Sequence, residues 1–185
     1  MEMLKLIHNR HSTPKVRPDP IPHDLIEKLL SAAVQAPNHH RVRPWRFIVM
    51  QERARERLGE VMAQSLKRRL PDTLEEDLAV ERAKPLRAPL LIAVGVDKPT
   101  SPKIVEIENV CAAAAAAQNM LLAAQALGLG GMWRTGAAAT DLDVKSFLGL
   151  AHDQHLIGFL YIGYPAGETQ FPERPSFEDR TVWMG

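Results

Sequence analysis

Residues 104–136 read IVEIENVCAAAAAAQNMLLAAQALGLGGMWRTG. Between Val110 and Leu127 only Gln118, Asn119 and Gln125 are strongly polar, and six consecutive alanines, Ala112 to Ala117, fill the middle. Alanine is the best helix former and neither Gly nor Pro interrupts the run, so the pattern predicts a helix. A helix that is apolar nearly all round has no solvent face and must be buried on most sides. At about 1.5 Å per residue the run spans roughly 27 Å, the width of a small domain or of a bilayer core. Three amides, many weakly hydrophobic alanines and the lack of a second such segment favour a central core helix over a membrane span. Its small side chains let neighbouring elements approach closely. The helix is expected to stop where Gly128, Gly130 and Gly131 remove the helical preference. Trp133, Arg134 and Thr135 follow, just before Gly136.

Around this helix the chain has the dimensions of one domain, 1–185, with 185 residues, 45% hydrophobic and 24% charged. A net charge of +1 excludes a global pull toward nucleic acid or acidic membranes. The single cysteine, Cys111, rules out an internal disulfide framework and fits a reducing compartment. Sitting among alanines, it is expected to be a small buried apolar residue rather than a nucleophile. The start, MEMLKLIHNRHS, has no apolar core of the secretory type, so a cytoplasmic protein is expected. Charge is uneven: residues 1–46 hold eight Lys and Arg against four Asp and Glu, plus five of the seven histidines. Such a local cationic excess suits a small anion.

The remaining elements follow from pattern. Leu4, Ile7 and His8 suggest a short helix ending near Asn9 to Ser12, and Pro14, Pro18, Pro20 and Pro22 then hold the chain extended. Leu25, Ile26, Leu29, Leu30, Ala33 and Val34 form an amphipathic stripe that Pro37 ends. Asn38 to Arg43 reads as a loop and Arg46 to Met50 as a strand. Glu52 to Leu70 is a charged helix with Leu58, Val61, Met62 and Leu66 on its apolar side. Residues 71–89 suggest a helix plus loop of variable order. Leu90 to Val96 and Leu156 to Ile162 are continuous apolar runs of buried-strand type. Thr140 with Asp143 makes a capping-box-like start for a helix through Leu150. In the tail, 166–185, Glu168, Glu173, Glu178 and Asp179 outnumber Arg174 and Arg180; it either wraps a partner subunit or is mobile. Helices with a smaller number of strands make an α+β layer structure.

Three polar constellations stand out. Arg10-His11-Ser12 pairs a guanidinium fork matched to phosphate with a small hydroxyl, or is simply a solvated helix end. The segment 35–45, Gln35-Ala36-Pro37-Asn38-His39-His40 through Trp45, is either a structural loop or hydrogen-bonds the polar rim of a ligand. Adjacent His39 and His40 lack a third metal ligand at familiar spacing, so no metal is expected. The segment 128–136 is neither G-x-G-x-x-G between strand and helix nor a Walker loop. With no nucleophile elbow, H-E-x-x-H or C-x-x-C present, catalytic residues are expected to be none; an enzyme here would rely on a cofactor.

Together, I-H-N-R-H-S at 7–12, A-P-N-H-x-x-x-x-P-W-R-F at 36–47, R-A-P-L-L-I-A-V at 87–94, G-L-G-G-M-W-R-T-G at 128–136 and G-F-L-Y-I-G-Y-P at 158–165 resemble the nitroreductase family in its compact bacterial form. The likeness runs from about Leu4 to Pro165. It implies an α+β homodimer: a central antiparallel or mixed sheet flanked by helices, long Ala-rich central helices packed across the two-fold, and two FMN sites at the interface. By the resemblance, Arg10, His11 and Ser12 hold the FMN phosphate and ribityl end, and Gln35 and His39 reach flavin from the partner chain. Trp133, Arg134 and Thr135 complete the first chain's side, and Ala123 to Gly128 lies near the nicotinamide donor. His11 stands where members often carry a second Arg, and Gln35 where they often carry a base. Both substitutions lower positive charge near the phosphate. Arg174 or Arg180 is the candidate for the basic residue that larger members use near the C-terminus.

The resemblance implies a ping-pong flavin oxidoreductase, taking hydride from NADH or NADPH and reducing nitroaromatic or quinone-like acceptors. Donors that stabilise negative charge on reduced flavin are then needed, either backbone N–H groups or Arg134. Two rival readings share the fold: a non-catalytic dimeric flavin-binding protein for storage or sensing, and oxygen-dependent flavin fragmentation.

Overall fold

The computed structural model of the chain describes residues 2–167 and 173–185. Four strands, β1 (Trp45–Met50), β2 (Leu90–Val96), β3 (Gly130–Arg134) and β4 (His155–Gly163), form one antiparallel sheet in the order β1-β2-β4-β3. All seven residues of β2 are buried. Alternate side chains leave a strand on opposite faces, and both faces of this one are covered. Leu90, Ile92, Val94 and Val96 join Leu160 and Ile162 under helices α2 (His23–Ala33) and α5 (Glu106–Ala126). Leu91 and Ala93 join Phe159 and Tyr161 under α3 (Glu52–Arg69), α6 (Ala137–Thr140) and α7 (Leu142–Phe147). The apolar runs in β2 and β4 are therefore continuous because both layers need them. α1 (Met3–Asn9) and α4 (Glu75–Ala83) complete the helices.

The central helix forms as its composition demands, and among the described residues no helix is long and apolar enough to cross a membrane. Its burial is one-sided, however. Asn109, Ala112, Ala113, Ala116, Ala117, Met120, Leu121 and Ala124 are buried. Ile107, Cys111 and Gln118 are exposed, with Ala114, Ala115 and Leu122 half-buried between them. Small apolar side chains thus line a second face that the described residues do not cover. Cys111 lies on that face, so the expectation that it is buried within the chain is corrected.

Other local readings shift. The glycine-rich 130–134 segment is the edge strand β3, not part of a turn; glycines are poor strand formers, but a Cβ at Gly130 would approach Thr13 to 2.6 Å. The close pass of the N-terminal segment decides this position. Thr140 does not cap the following helix: its hydroxyl donates to the Ala137 carbonyl (3.1 Å). The cap is Asp141, whose carboxylate accepts from the Asp143 and Val144 N–H groups, so the expected helix begins one residue later and ends earlier, as α7, with α6 a separate short helix ahead of it. Residues 75–83 form α4, and Lys84–Arg87 a 3-10 turn running into β2. His39–Arg41 is likewise a 3-10 turn within the expected loop. Glu168 of the acidic tail falls outside the described residues; Glu178–Arg180 is a short 3-10 turn.

Candidate functional site

The polar constellations fall into three clusters. The first is built by the N-terminal segment. Arg10 caps α1, its N–H donating to the Ile7 carbonyl (3.3 Å). Beyond it the chain runs extended along the sheet edge: Thr13 N–H donates to Gly131 O (3.0 Å), and Arg17 N–H to Tyr164 O (2.7 Å). This clamp fixes His11, whose Nδ1–H donates to Asn9 O (2.8 Å). His11 and Thr13 then wall a crevice of about 170 Å³ with Leu121, Gln125, Gly130 and Gly131. The C-terminal half of α5 therefore meets the N-terminal motif across β3. Ser12 is exposed beside them.

Arg174, from the far end of the chain, donates to the Arg10 carbonyl (3.3 Å). Burial and the neighbouring Arg174 guanidinium together push the Arg10 pKa below its ordinary value. Among the described residues neither arginine forms an ion pair with a carboxylate. Two adjacent uncompensated guanidiniums are an electrostatic cost unless an anion neutralises them.

The second cluster is a cavity of about 500 Å³ on the other face of the sheet. Arg134, Thr135 and Gly136 form one wall, Leu58, Met62 and Arg69 of α3 another, and Lys84 and Arg87 of the 3-10 turn a third, with Phe159 and Tyr161 among the residues that complete it. Four cations face one carboxylate, Glu81, which pairs with Lys84. Arg134 lies over the Tyr161 ring, 5.6 Å from its centroid. Burial raises the Tyr161 pKa, with Arg134 opposing. Trp133, though adjacent, points to the α5 layer and donates from Nε1 to Ile157 O (3.0 Å). Gly158 permits this bond. Its φ of 135° suits only glycine, and a Cβ there would stand 2.6 Å from Trp133 Nε1.

The third cluster holds Gln35 and His39, and it is far from the first. The Gln35 side-chain amide donates back to Ser31 O (3.3 Å). His39 Nδ1 meets Glu108 of α5 at 3.1 Å. Glu108 is near the start of α5 and Gln125 near its end, roughly 26 Å apart along the axis at about 1.5 Å per residue. Within one chain His39 therefore cannot share a ligand with His11. Both flank the uncovered α5 face instead: Pro37, Asn38 and His39 line a shallow groove with Ile107, Glu108, Cys111 and Ala115.

Arg10, His11 and Ser12 thus stand in one cluster, and Arg134 and Thr135 in another. Trp133 takes a packing position, and Gln35 and His39 stand apart. The sequence reading missed Lys84, Arg87 and Arg69. The only local signal was a basic turn, K-P-L-R, immediately ahead of the buried strand β2. No group of His, Cys, Asp or Glu able to hold a metal occurs among the described residues.

The nitroreductase family model matches residues 7–164. The protein named "Putative NAD(P)H nitroreductase YdjA" of Escherichia coli (strain K12) is 32% identical over 167 residues, covering 89% of each chain. Among solved structures, a nitroreductase-like family protein from Bacillus cereus superposes with a TM-score of 0.84 at 24% identity, covering 100% of this chain and 96% of that one. The FMN-dependent nitroreductase NfnB from Mycobacterium smegmatis, solved in complex with NADPH, superposes with a TM-score of 0.74 at 18% identity, covering 98% and 97%.

Proposed function

The chain belongs to the nitroreductase family, and on that footing we propose that it is a homodimeric, cytoplasmic FMN-dependent oxidoreductase that takes hydride from NADH or NADPH and reduces nitroaromatic or quinone-like acceptors. The observation that carries the reading is the convergence of cations on two places near β3: Arg10 with Arg174, and Arg134 with Arg87 and the Glu81-paired Lys84. A flavin mononucleotide needs both, a dianionic phosphate at one end and a ring that gains negative charge at the other. The donor set fits FMN on these grounds.

FMN, when bound, would supply two-electron redox chemistry between a nicotinamide donor and an acceptor. The chain's residues do the rest. Arg10, Arg174 and the Ser12 hydroxyl bind the phosphate end. Arg134 and Lys84 stabilise anionic charge at the ring, in a cavity whose apolar wall of Leu58, Met62 and Phe159 excludes water and strengthens each charge interaction.

Distance supports the dimer: His39 and Gln35 would reach a flavin held at the other end of α5 only from a partner, and two chains packed antiparallel along their uncovered α5 faces would bring the start of one helix beside the end of the other. The small side chains there permit close approach.

The test is an anaerobic absorbance spectrum of the purified protein with FMN, before and after NADH or NADPH. A bound-flavin spectrum that bleaches is expected, with colour restored by a nitroaromatic or a quinone. Flavin that binds and stays oxidised would make the protein a binder rather than a reductase. Failure to bind FMN at all would remove the assignments of Arg10, Ser12 and Arg134.

A further inference from the structure

We propose that the cavity walled by α3, β3 and the Lys84–Arg87 turn is selective for a small aromatic carboxylate, with the Arg87 guanidinium recognising its charge; that the bound molecule is an electron acceptor rests on the functional reading above. Four cations line this cavity, Arg69, Lys84, Arg87 and Arg134. Two of them already meet carboxylates of the chain: Lys84 pairs with Glu81, and Arg69 Nε lies 3.5 Å from Asp141. Among the described residues no carboxylate pairs with Arg87 or Arg134. A flavin ring gains one negative charge on reduction, and Arg134 faces it in the functional reading. Arg87 is then left for a second anion. Both guanidiniums act on the same space: burial raises the Tyr161 pKa, and Arg134 and then Arg87 oppose it.

The lining describes that anion. A guanidinium offers a planar fork that matches a carboxylate bidentately. Leu58, Met62, Leu66 and Phe159 supply an apolar wall, which a bare inorganic anion would not use. A neutral aromatic would use the wall but leave the Arg87 fork to water. A flat apolar body with one carboxylate uses both. The volume, about 500 Å³, lies within the roughly 300–1,000 Å³ of small-molecule pockets. The chain also holds Arg87 in place. Pro85 of the same turn is buried, Ala88 directly after Arg87 is buried, and the Ala88 carbonyl accepts from Arg55 Nη1 (2.6 Å). The backbone of Arg87 is therefore pinned on both sides while Arg87 itself is exposed, which puts its guanidinium at the opening of the cavity. Water and salt screen a charge there, so the expected effect is about tenfold rather than larger.

The experiment compares wild type, Arg87→Met and Arg87→Lys with two probes, para-nitrobenzoate and its neutral isostere para-nitrobenzamide. Reduction of either balances as the nitro group, NADH or NADPH and one proton giving the nitroso group, the oxidised nicotinamide and water; the carboxylate is unchanged. The readout is the ratio of kcat/KM for the two probes within one enzyme, which cancels any change in the flavin itself. That ratio should fall about tenfold in Arg87→Met, through the KM of para-nitrobenzoate. It should fall by less in Arg87→Lys, which keeps the charge and loses the fork. Isothermal titration of para-nitrobenzoate into each purified protein should show the same loss of affinity in Arg87→Met. A ratio that Arg87→Met leaves unchanged overturns the inference. Wild type that binds no FMN would remove the functional reading, and the titration then decides the cavity alone. Affinity lost in Arg87→Met keeps the aromatic carboxylate site, and equal affinity overturns it.

Discussion

Trp133 and Arg134 are consecutive on β3, yet they serve opposite layers. Trp133 packs with the α5 core and donates to Ile157 O; Arg134 crosses to the other face, over Tyr161 and into the cationic cavity. A strand alternates its side chains, so one dipeptide at a sheet edge both locks the strand and aims a charge. The Trp133 bond fixes the strand that aims Arg134 into the cavity.

From this, Arg134→Ala and Lys84→Met should each lower the two-electron midpoint potential of bound FMN by about 30 mV, which corresponds to roughly 1.4 kcal/mol. Reduced flavin gains negative charge that these cations stabilise, so their loss favours the oxidised form. Spectroelectrochemical titration checks it; an unchanged potential in both variants would show that the cavity does not hold the flavin ring.

The Arg10–Arg174 pair should read out as phosphate affinity. Arg174→Ala should weaken FMN about tenfold or more and leave riboflavin binding unchanged, since a charge-assisted hydrogen bond contributes about 1.5–3 kcal/mol. Equal losses for FMN and riboflavin would place Arg174 away from the phosphate.

The uncovered face of α5 should be the dimer contact. Ala115→Glu puts a charge in the groove beside His39. It should convert a dimer to a monomer on size exclusion and abolish FMN binding, while circular dichroism stays native. A variant that remains dimeric and yellow would move the interface elsewhere.

Asp141 ties α7 to α3. Its carboxylate caps α7, accepts from the buried Ser65 hydroxyl of α3 and meets Arg69 Nε at 3.5 Å. Asp141→Ala removes the cap and strands a buried hydroxyl, costing about 2–4 kcal/mol by urea denaturation. Asp141→Asn keeps the cap and should cost clearly less.

Glu106 sets a pH dependence. Hydrogen bonds from Lys98 and then His155 hold its carboxyl below the ordinary 4.5. With the folded-state pKa depressed, the unfolded chain binds the proton first as pH falls. The stabilisation is therefore present above about pH 5 and is lost as pH drops through the folded value. Glu106→Gln should flatten the acid limb of a plot of Tm against pH and leave its shape above pH 6 unchanged.

The features legible in the residues alone were local. The alanine run made a helix, the amphipathic stripe from Leu25 to Val34 made α2, and the unbroken apolar runs made β2 and β4, because propensity and periodicity act over a few residues and survive any tertiary context this hydrophobic. The family motifs marked Arg10, His11, Ser12, Arg134 and Thr135 for the same reason: each is a short string. Only the tertiary structure decided the rest. Gly130 to Arg134 became a strand because β4 supplied a partner and Thr13 needed room. Arg174 reached Arg10, and Lys84 reached the cavity of Arg134, across separations that no local pattern encodes. The central helix was legible as buried, but not which side of it the chain leaves open. That side depends on where α2 and the sheet pack, and they cover one face of a helix whose composition suits either.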